Sequence, residues 1–321
     1  MNLDSKMITL KDITNAHDRI GPFIHRTPIL TNNSLNELIG ANLYFKCENF
    51  QKAGSFKIRG ATNAVELLTK EELARGVATT SSGNHGAALS MAVTRRGGNT
   101  KVVMPHNTPI IKVKNVQRNG GEVVWCESNQ ESREGVLKEL VDKSGAEVIH
   151  PYNDERIMSG QGTCAKELIE DCPYLDVIIS PVSGGGLISG TLLSSSQMKS
   201  KIKVFGAEPK EADDAFQSLK IGKIVPNKTI DTVCDGLRAQ IGTITFPVIK
   251  DLVDEIITLT EDEIIDAMRM VWERMKIVVE PSCSITLAAV LKRKEQFVNK
   301  NIGLILSGGN VDLDSLPWAK P

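Results

Sequence analysis

Short apolar runs alternate with stretches of helical periodicity over most of this chain, and that alternation restricts the fold more than any other feature. The runs "GVATT" (76–80), "KVVM" (101–104), "EVVWC" (122–126), "EVIHP" (147–151), "DVIIS" (176–180), "KVFGAE" (203–208) and "IGLIL" (302–306) read as strands. Residues 84–96, 109–119, 131–143, 155–171, 187–198, 261–275 and 282–293 read as helices. Upstream, "NLYFKCEN" alternates like a strand, and "IRGATNAVELL" has helical spacing. The pattern predicts an α/β fold with a largely parallel sheet. Residues 76–150 hold four strands and three helices and read as a self-contained small domain. It is inserted into a larger one built from 1–75 and 151–321.

A chain of 321 residues, 41% hydrophobic, is long enough for two such cores. A formal net charge of -1 gives nucleic acid or an anionic membrane nothing to hold. The longest apolar runs, "VIIS" and "SITLAAVL", fall far short of a membrane span. No secretory signal is visible in "MNLDSKMITLKD". The cysteines at 47, 126, 164, 172, 234 and 283 are scattered without a CxxC pair. They predict reduced thiols in a cytoplasmic protein, not a disulfide framework or a zinc site. Five histidines without an HxxxH argue against a catalytic transition metal.

Three strands end in small-residue turns: "TTSSGNHGAAL" (79–89), "SPVSGGGLISG" (180–190) and "LSGGNVD" (306–312). Such turns let backbone N–H groups converge on an anion at a helix N-terminus. In parallel sheets, ligands collect at these carboxyl ends of strands. None of the turns fits GxxxxGK[ST], and "SGGGLISG" is not GxGxxG, so a P-loop and a dinucleotide site both fit poorly. A fourth turn, "GSFKIRG" (54–60), puts Lys57 near the first turn of a helix, against the positive end of its dipole. A phosphate ligand that also requires a lysine is pyridoxal 5′-phosphate, whose aldehyde condenses with the amine. A lysine so placed has a depressed pKa, which favours the neutral amine that this condensation needs.

Together, "ENFQKAGSFKIRGA", "SSGNHG", "SGGGL" and "LSGGN" resemble the fold-type II pyridoxal-phosphate enzymes, in particular the serine/threonine dehydratases and eukaryotic serine racemases. The resemblance runs from "RTPIL" (26–30) to the end of the chain. It implies a tryptophan synthase β-like fold, with large and small open-sheet domains, the cofactor between them, and a homodimer. It makes Lys57 the Schiff-base lysine, with Phe56 near the pocket. Asn84 would bond the cofactor 3′-oxygen, and the backbone of Ser183, Gly184, Gly185, Gly186 and Leu187 would hold the phosphate. Ser307 would face the ring nitrogen. Ser81, Asn84 and His85 would cradle the substrate carboxylate, and Arg133 would approach the substrate. Ser82 matches a serine that lies across the cofactor from the lysine in racemases, where most dehydratases have alanine. Racemisation needs a proton donor and acceptor on both faces of a planar carbanion, and Lys57 with Ser82 would supply them. Glu280 would sit behind the ring, where the competing reading is an acid at a helix N-terminus.

The stretch "GAEPKEADDAF" (206–216) resembles the racemase cation loop, with carboxylates from Glu208 and Asp214 and a carbonyl from Ala212. Such oxygen ligands suit Mg²⁺, Ca²⁺ or Mn²⁺. The nucleotide site of animal racemases maps onto Asn32, Asn33, Ser34, Lys52 and Ala53. These side chains match only in part, which weighs against activation by ATP. At "DGLRAQIG", Ala239 and Gln240 replace serines of animal racemases, a pattern shared with fungal threo-3-hydroxyaspartate dehydratases. The implied activity is serine racemisation with elimination of water from serine to give pyruvate and ammonia. The alternatives are a 3-hydroxyaspartate or serine/threonine dehydratase and a catalytically silent metabolite-binding protein.

Overall fold

The computed structural model describes residues 8–81 and 83–319. Its strands are β1 (Ile29–Leu30), β2 (Asn42–Cys47), β3 (Val77–Thr80), β4 (Thr100–Pro105), β5 (Gly121–Cys126), β6 (Glu147–Val148), β7 (Val177–Pro181), β8 (Lys203–Pro209), β9 (Glu255–Leu259) and β10 (Asn301–Leu306). They form two open sheets, one in the order β1-β2-β10-β7-β8-β9 and the other β5-β4-β3-β6. Every neighbouring pair is parallel except β1 with β2 at one edge. The smaller sheet takes all its strands from within residues 76–150. Helices cover both faces of the larger sheet, whose central strands β7 and β10 are buried except at Asn301, as their unbroken apolar runs require.

Register brings the functional turns together. Leu306, the last residue of β10, pairs with Cys47 at the end of β2. On the other side β10 pairs with β7, whose Pro181 is opposite Ala207 of β8. The segments that follow β2, β10 and β7 therefore leave the sheet at one edge, and they carry Lys57, Ser307 and the 183–187 turn.

Behind that edge, three helices pack backbone on backbone. A Cβ on Gly160, in the helix Glu155–Asp171, would lie 2.6 Å from Cα of Gly60 in the helix Lys57–Glu66. One on Gly190, in the helix Gly186–Met198, would lie 2.5 Å from the nitrogen of Gly162. The lysine helix is further tied by Arg59, which is fully buried. Its Nε and Nη2 donate to Glu48 at 2.7 and 2.8 Å. Nη1 and Nη2 each donate to Glu167 at 2.8 Å, and Nη1 also donates to Thr163 at 3.1 Å. All five N–H groups of the guanidinium are thus used. Lys46 Nζ adds a bond to Glu167 at 2.7 Å.

The seven helices given by residue range, and six of the seven strands so given, fall within a residue of the observed bounds, while "NLYFKCEN" and "IRGATNAVELL" each run two residues past the observed end. The seventh strand is "EVIHP", where the ladder stops at Val148. There His150 Nδ1 accepts from the backbone N–H groups of Tyr152 and Asn153, turning the chain out of the sheet. Among the described residues no helix is long and apolar enough to cross a membrane.

Candidate active site

Lys57 is the first residue of its helix. The turn before it is clamped to the turn after β10, because Phe56 N–H donates to Ser307 C=O at 3.0 Å and Ser55 bridges Gly308. The amine donates to the Pro151 carbonyl at 3.1 Å and lies 5.1 Å from the Phe56 ring centroid. It has no carboxylate partner among the described residues. Burial lowers its pKa to about 8, against a weaker opposing pull from Glu280.

The Tyr152 ring, one residue beyond Pro151, stands against the 183–187 turn. A Cβ on Gly184 would be 2.4 Å from its Cδ1. Gly185 lies at φ +95°, a left-handed conformation that glycine adopts without strain. Gly186 opens the helix Gly186–Met198, so unpaired N–H groups and the positive end of a helix dipole meet here. Leu187 is buried, and the Ser183 hydroxyl exchanges hydrogen bonds with the backbone of Ala239 at 3.1 Å each way.

Asn84 opens the helix Asn84–Arg95. Its Nδ2 donates to Glu280 Oε1 at 2.9 Å, and its Oδ1 accepts from Asn310 Nδ2 at 2.9 Å. The amide is therefore fixed in one orientation, with one N–H left to donate. Glu280 is buried and its Oε2 has no partner among the described residues. Burial, reinforced by Asp235, raises its pKa to about 7, against Lys112 and the Asn84 bond. Ser81 Oγ accepts from the N–H groups of Gly83 and Gly86 at 3.3 and 3.0 Å, so its own proton is free to donate. His85 Nε2 lies 3.3 Å from the Ile149 carbonyl, which requires the proton on that nitrogen. Burial and nearby Lys57 push the ring pKa down to about 3. The ring is neutral, and its Nδ1, without a partner among the described residues, can only accept. A carboxylate at this turn would be met by the His85 backbone, not by its imidazole. Ser82 lies outside the described residues. Arg133 sits on the helix Gln130–Ser144, with Nε buried and without a partner among the described residues and the charge near Cys126.

Glu208 and Asp214 are both buried. Glu208 accepts from the N–H groups of Ala215 and Phe216 at 3.1 and 2.9 Å. Asp214 accepts from Asn227 Nδ2 at 2.8 Å and Ile241 N–H at 2.6 Å. Burial comes first in raising both, with their mutual repulsion next for Glu208; Asp214 reaches about 6 and Glu208 goes well above its ordinary value. No group of three or more His, Cys, Asp or Glu suited to a metal occurs among the described residues. What is present is a carboxylate pair beside the buried Ala212, a donor set that fits a hard cation completed by backbone oxygens and water.

In the nucleotide set, Asn32 caps the helix Asn33–Ile39 and donates to Arg274 C=O, while Ser34 Oγ accepts from Arg274. Lys52 and Ala53 form a short turn whose Ala53 carbonyl accepts from Asn310.

Motif reading missed Tyr152, Asn310, Thr245 and the Lys112–Asp235 ion pair. Asn310 had a signal, being the last residue of "LSGGN". The others carry none until the chain is folded. The buried lysine without a counter-ion, the helix-terminal nest and the orphaned Glu280 oxygen fit pyridoxal phosphate in charge and donor count.

Fold and site thus define a pyridoxal-phosphate-dependent enzyme. The family model "Pyridoxal-phosphate dependent enzyme" matches residues 20–308. A serine racemase of Arabidopsis thaliana is 51% identical, over 98% of this chain and 97% of its own length. A beta-hydroxyaspartate dehydratase of Paracoccus denitrificans is 48% identical, over 97% and 98%. The structure of maize serine racemase superposes with a TM-score of 0.93 at 46% identity, covering 95% of this chain and 94% of that one. The chain belongs to the serine racemase/dehydratase branch of the fold-type II pyridoxal-phosphate enzymes.

Proposed function

We propose that this enzyme interconverts L- and D-serine and also eliminates water from serine, releasing pyruvate and ammonia. The observation that carries the reading is the buried, carboxylate-free amine of Lys57, set among the 183–187 nest, the Asn84 turn and Ser307. Bound pyridoxal phosphate supplies an electron sink conjugated to the substrate Cα. Lys57 takes or returns the Cα proton on one face and Ser82 on the other. Ser81 Oγ, Asn84 and the backbone at His85 hold the substrate carboxylate, and Arg133 approaches from the smaller sheet. Ser307 would meet the ring nitrogen with a neutral hydroxyl, which would not compel its protonation as a carboxylate would. That favours short-lived charge at Cα, ended by reprotonation or loss of the β-hydroxyl. Glu208, Asp214 and the Ala212 carbonyl hold Mg²⁺, Ca²⁺ or Mn²⁺. The protein is a cytoplasmic homodimer, with residues 76–150 as an inserted domain.

The second reading, a dehydratase for 3-hydroxyaspartate, is favoured by the Paracoccus relative and by Ala239 and Gln240. One substrate panel separates them. D-Serine formed from L-serine is followed by chiral chromatography, beside ammonia release from L-serine, L-threonine and L-threo-3-hydroxyaspartate. Ser82→Ala should retain elimination from L-serine while racemisation falls by roughly 10²–10⁴-fold. Wild-type enzyme that makes ammonia from hydroxyaspartate and no D-serine refutes the racemase assignment.

A further inference from the structure

The turn that leads the chain out of the smaller sheet, His150 to Asn153, meets both the Lys57 amine and the 183–187 nest, and one side chain shapes it. Its entry is fixed, because the Ile149 carbonyl accepts from the Thr79 hydroxyl at 2.8 Å and from His85 Nε2 at 3.3 Å. Pro151 has no N–H, so the first backbone donors of the turn belong to Tyr152 and Asn153. Both reach one acceptor, His150 Nδ1, at 3.3 and 2.9 Å. Nδ1 must then be unprotonated. Burial, followed by Lys57, lowers the ring pKa to about 4, against Asp154. The neutral tautomer that accepts at Nδ1 carries its proton on Nε2, which makes no hydrogen bond among the described residues.

Each later residue of the turn meets a different part of the site. The Pro151 carbonyl accepts from the Lys57 amine at 3.1 Å. The Tyr152 ring stands edge-on to the His150 ring, centroids 4.5 Å apart, and fills the space that a Cβ on Gly184 would need. A Cβ on Gly186 would lie 3.1 Å from Tyr152 Cβ, so the contact continues onto the first residue of the nest helix. Asn153 Oδ1 accepts from Ile244 N–H at 2.9 Å, and its Nδ2 donates to Thr243 Oγ1 at 3.0 Å. Turns of this kind usually owe their shape to an Asn or Asp oxygen that captures backbone N–H groups just downstream. Here an imidazole nitrogen does so.

We propose that His150 is a positioning residue for the cofactor site. Through Nδ1 it sets the turn that aims the Pro151 carbonyl at the Lys57 amine and seats Tyr152 on the 183–187 nest. The inference rests on the assignment above of Lys57 to the aldehyde and of residues 183–187 to the phosphate. Without the Nδ1 acceptor two N–H groups lose their bond and the turn opens. A misplacement of about 1 Å at a reacting group costs on the order of 10²-fold in rate.

The test compares three variants of the full chain. An Asn side-chain oxygen stands where Nδ1 stands, a Gln oxygen stands where Nε2 stands, and Phe keeps a ring with neither acceptor. Capture of pyridoxal phosphate by apoenzyme, and of pyridoxal lacking the phosphate, is followed by stopped-flow absorbance of the lysine-bound aldehyde. Dialysis measures how well each is retained. Hydrogen exchange at the Tyr152 and Asn153 amides is read by mass spectrometry with fragmentation. In His150→Gln and His150→Phe, capture of both aldehydes should slow on the order of 10²-fold, and both amides should lose protection. Retention of the phosphorylated aldehyde should fall further than that of pyridoxal, because the nest is disturbed together with the amine. His150→Asn should restore protection, and capture to within a few-fold of wild type, and with His150→Gln it serves if His150→Phe does not fold. Rescue by Gln and not by Asn overturns the proposal, because the ring then acts from Nε2. Unslowed capture in a variant whose two amides have lost protection overturns it too, because the turn then does not place the amine. An equal fall in retention of the two aldehydes overturns the link to the nest. Lysine-bound absorbance that never forms in wild type removes the cofactor assignment, and this proposal with it.

Discussion

Arg59→Met is the most demanding test of how the lysine helix is held. In the wild type, Arg59 donates four bonds to two buried carboxylates, and both of its partners depend on it unequally. Glu167 would keep Lys46 at 2.7 Å, whereas Glu48 would keep, among the described residues, only the Thr27 hydroxyl at 2.5 Å. Stranding one partner of a buried ion pair costs about 3–5 kcal/mol. For a chain this long, that lowers the thermal midpoint on the order of 5–10 °C. Urea unfolding of the holoenzyme is the primary assay, with thermal melting beside it. The Glu48→Gln/Arg59→Met double variant removes the stranded charge with its cause. It should fall short of the summed single losses by about 1 kcal/mol or more. A loss below about 1 kcal/mol for Arg59→Met, or strict additivity in the cycle, would refute the reasoning.

Two further outcomes follow from the site. With Lys57 near 8, its proton is lost as pH rises through that value, so capture of pyridoxal phosphate by apoenzyme should climb about tenfold per pH unit below 8 and level off above it. Stopped-flow absorbance reads this directly, and a rate still climbing towards the ordinary lysine range of about 10 shows that burial does not tune the amine. In Gly184→Ala the new Cβ meets the Tyr152 ring, so overpacking should cost about 1–3 kcal/mol and the cofactor should wash out on dialysis. A variant that retains its cofactor through dialysis contradicts the packing.

Much of the fold was legible because parallel strands buried on both faces leave unbroken apolar runs, as in "IGLIL" and "DVIIS". β9 and the helix Leu10–Ile20 escaped, since "EIITL" is short and flanked by charge, and "LKDITNAHDRI" is mostly polar with three buried residues. Lys57 and the nest stood out because their chemistry is written in neighbouring residues. Thr245 reaches the 183–187 turn through Gly184, 61 positions away, and no local pattern encodes a contact of that range. Glu280 and Asn310 were readable from the family resemblance and from "LSGGN", but not their contacts with Asn84 across 196 and 226 positions. The role of the His85 ring was equally hidden, because its one proton is committed to a carbonyl 64 residues further along.

The glycine contacts behind the site bear on how it responds to pressure. From the lysine helix to the nest helix, the path runs Gly60 to Gly160, then Gly162 to Gly190, backbone against backbone. The side chain nearest Gly60, Gln161, is itself held by the Gly60 N–H, which donates to its Oε1 at 3.1 Å, and close-packed backbone leaves little void to collapse. The spacing between the helix that opens at Lys57 and the helix that opens at Gly186 therefore has little room to compress. Where the helix Ile110–Arg118 of the smaller sheet meets Asp235, by contrast, the contact is made by the Lys112 side chain, which has rotamers to change.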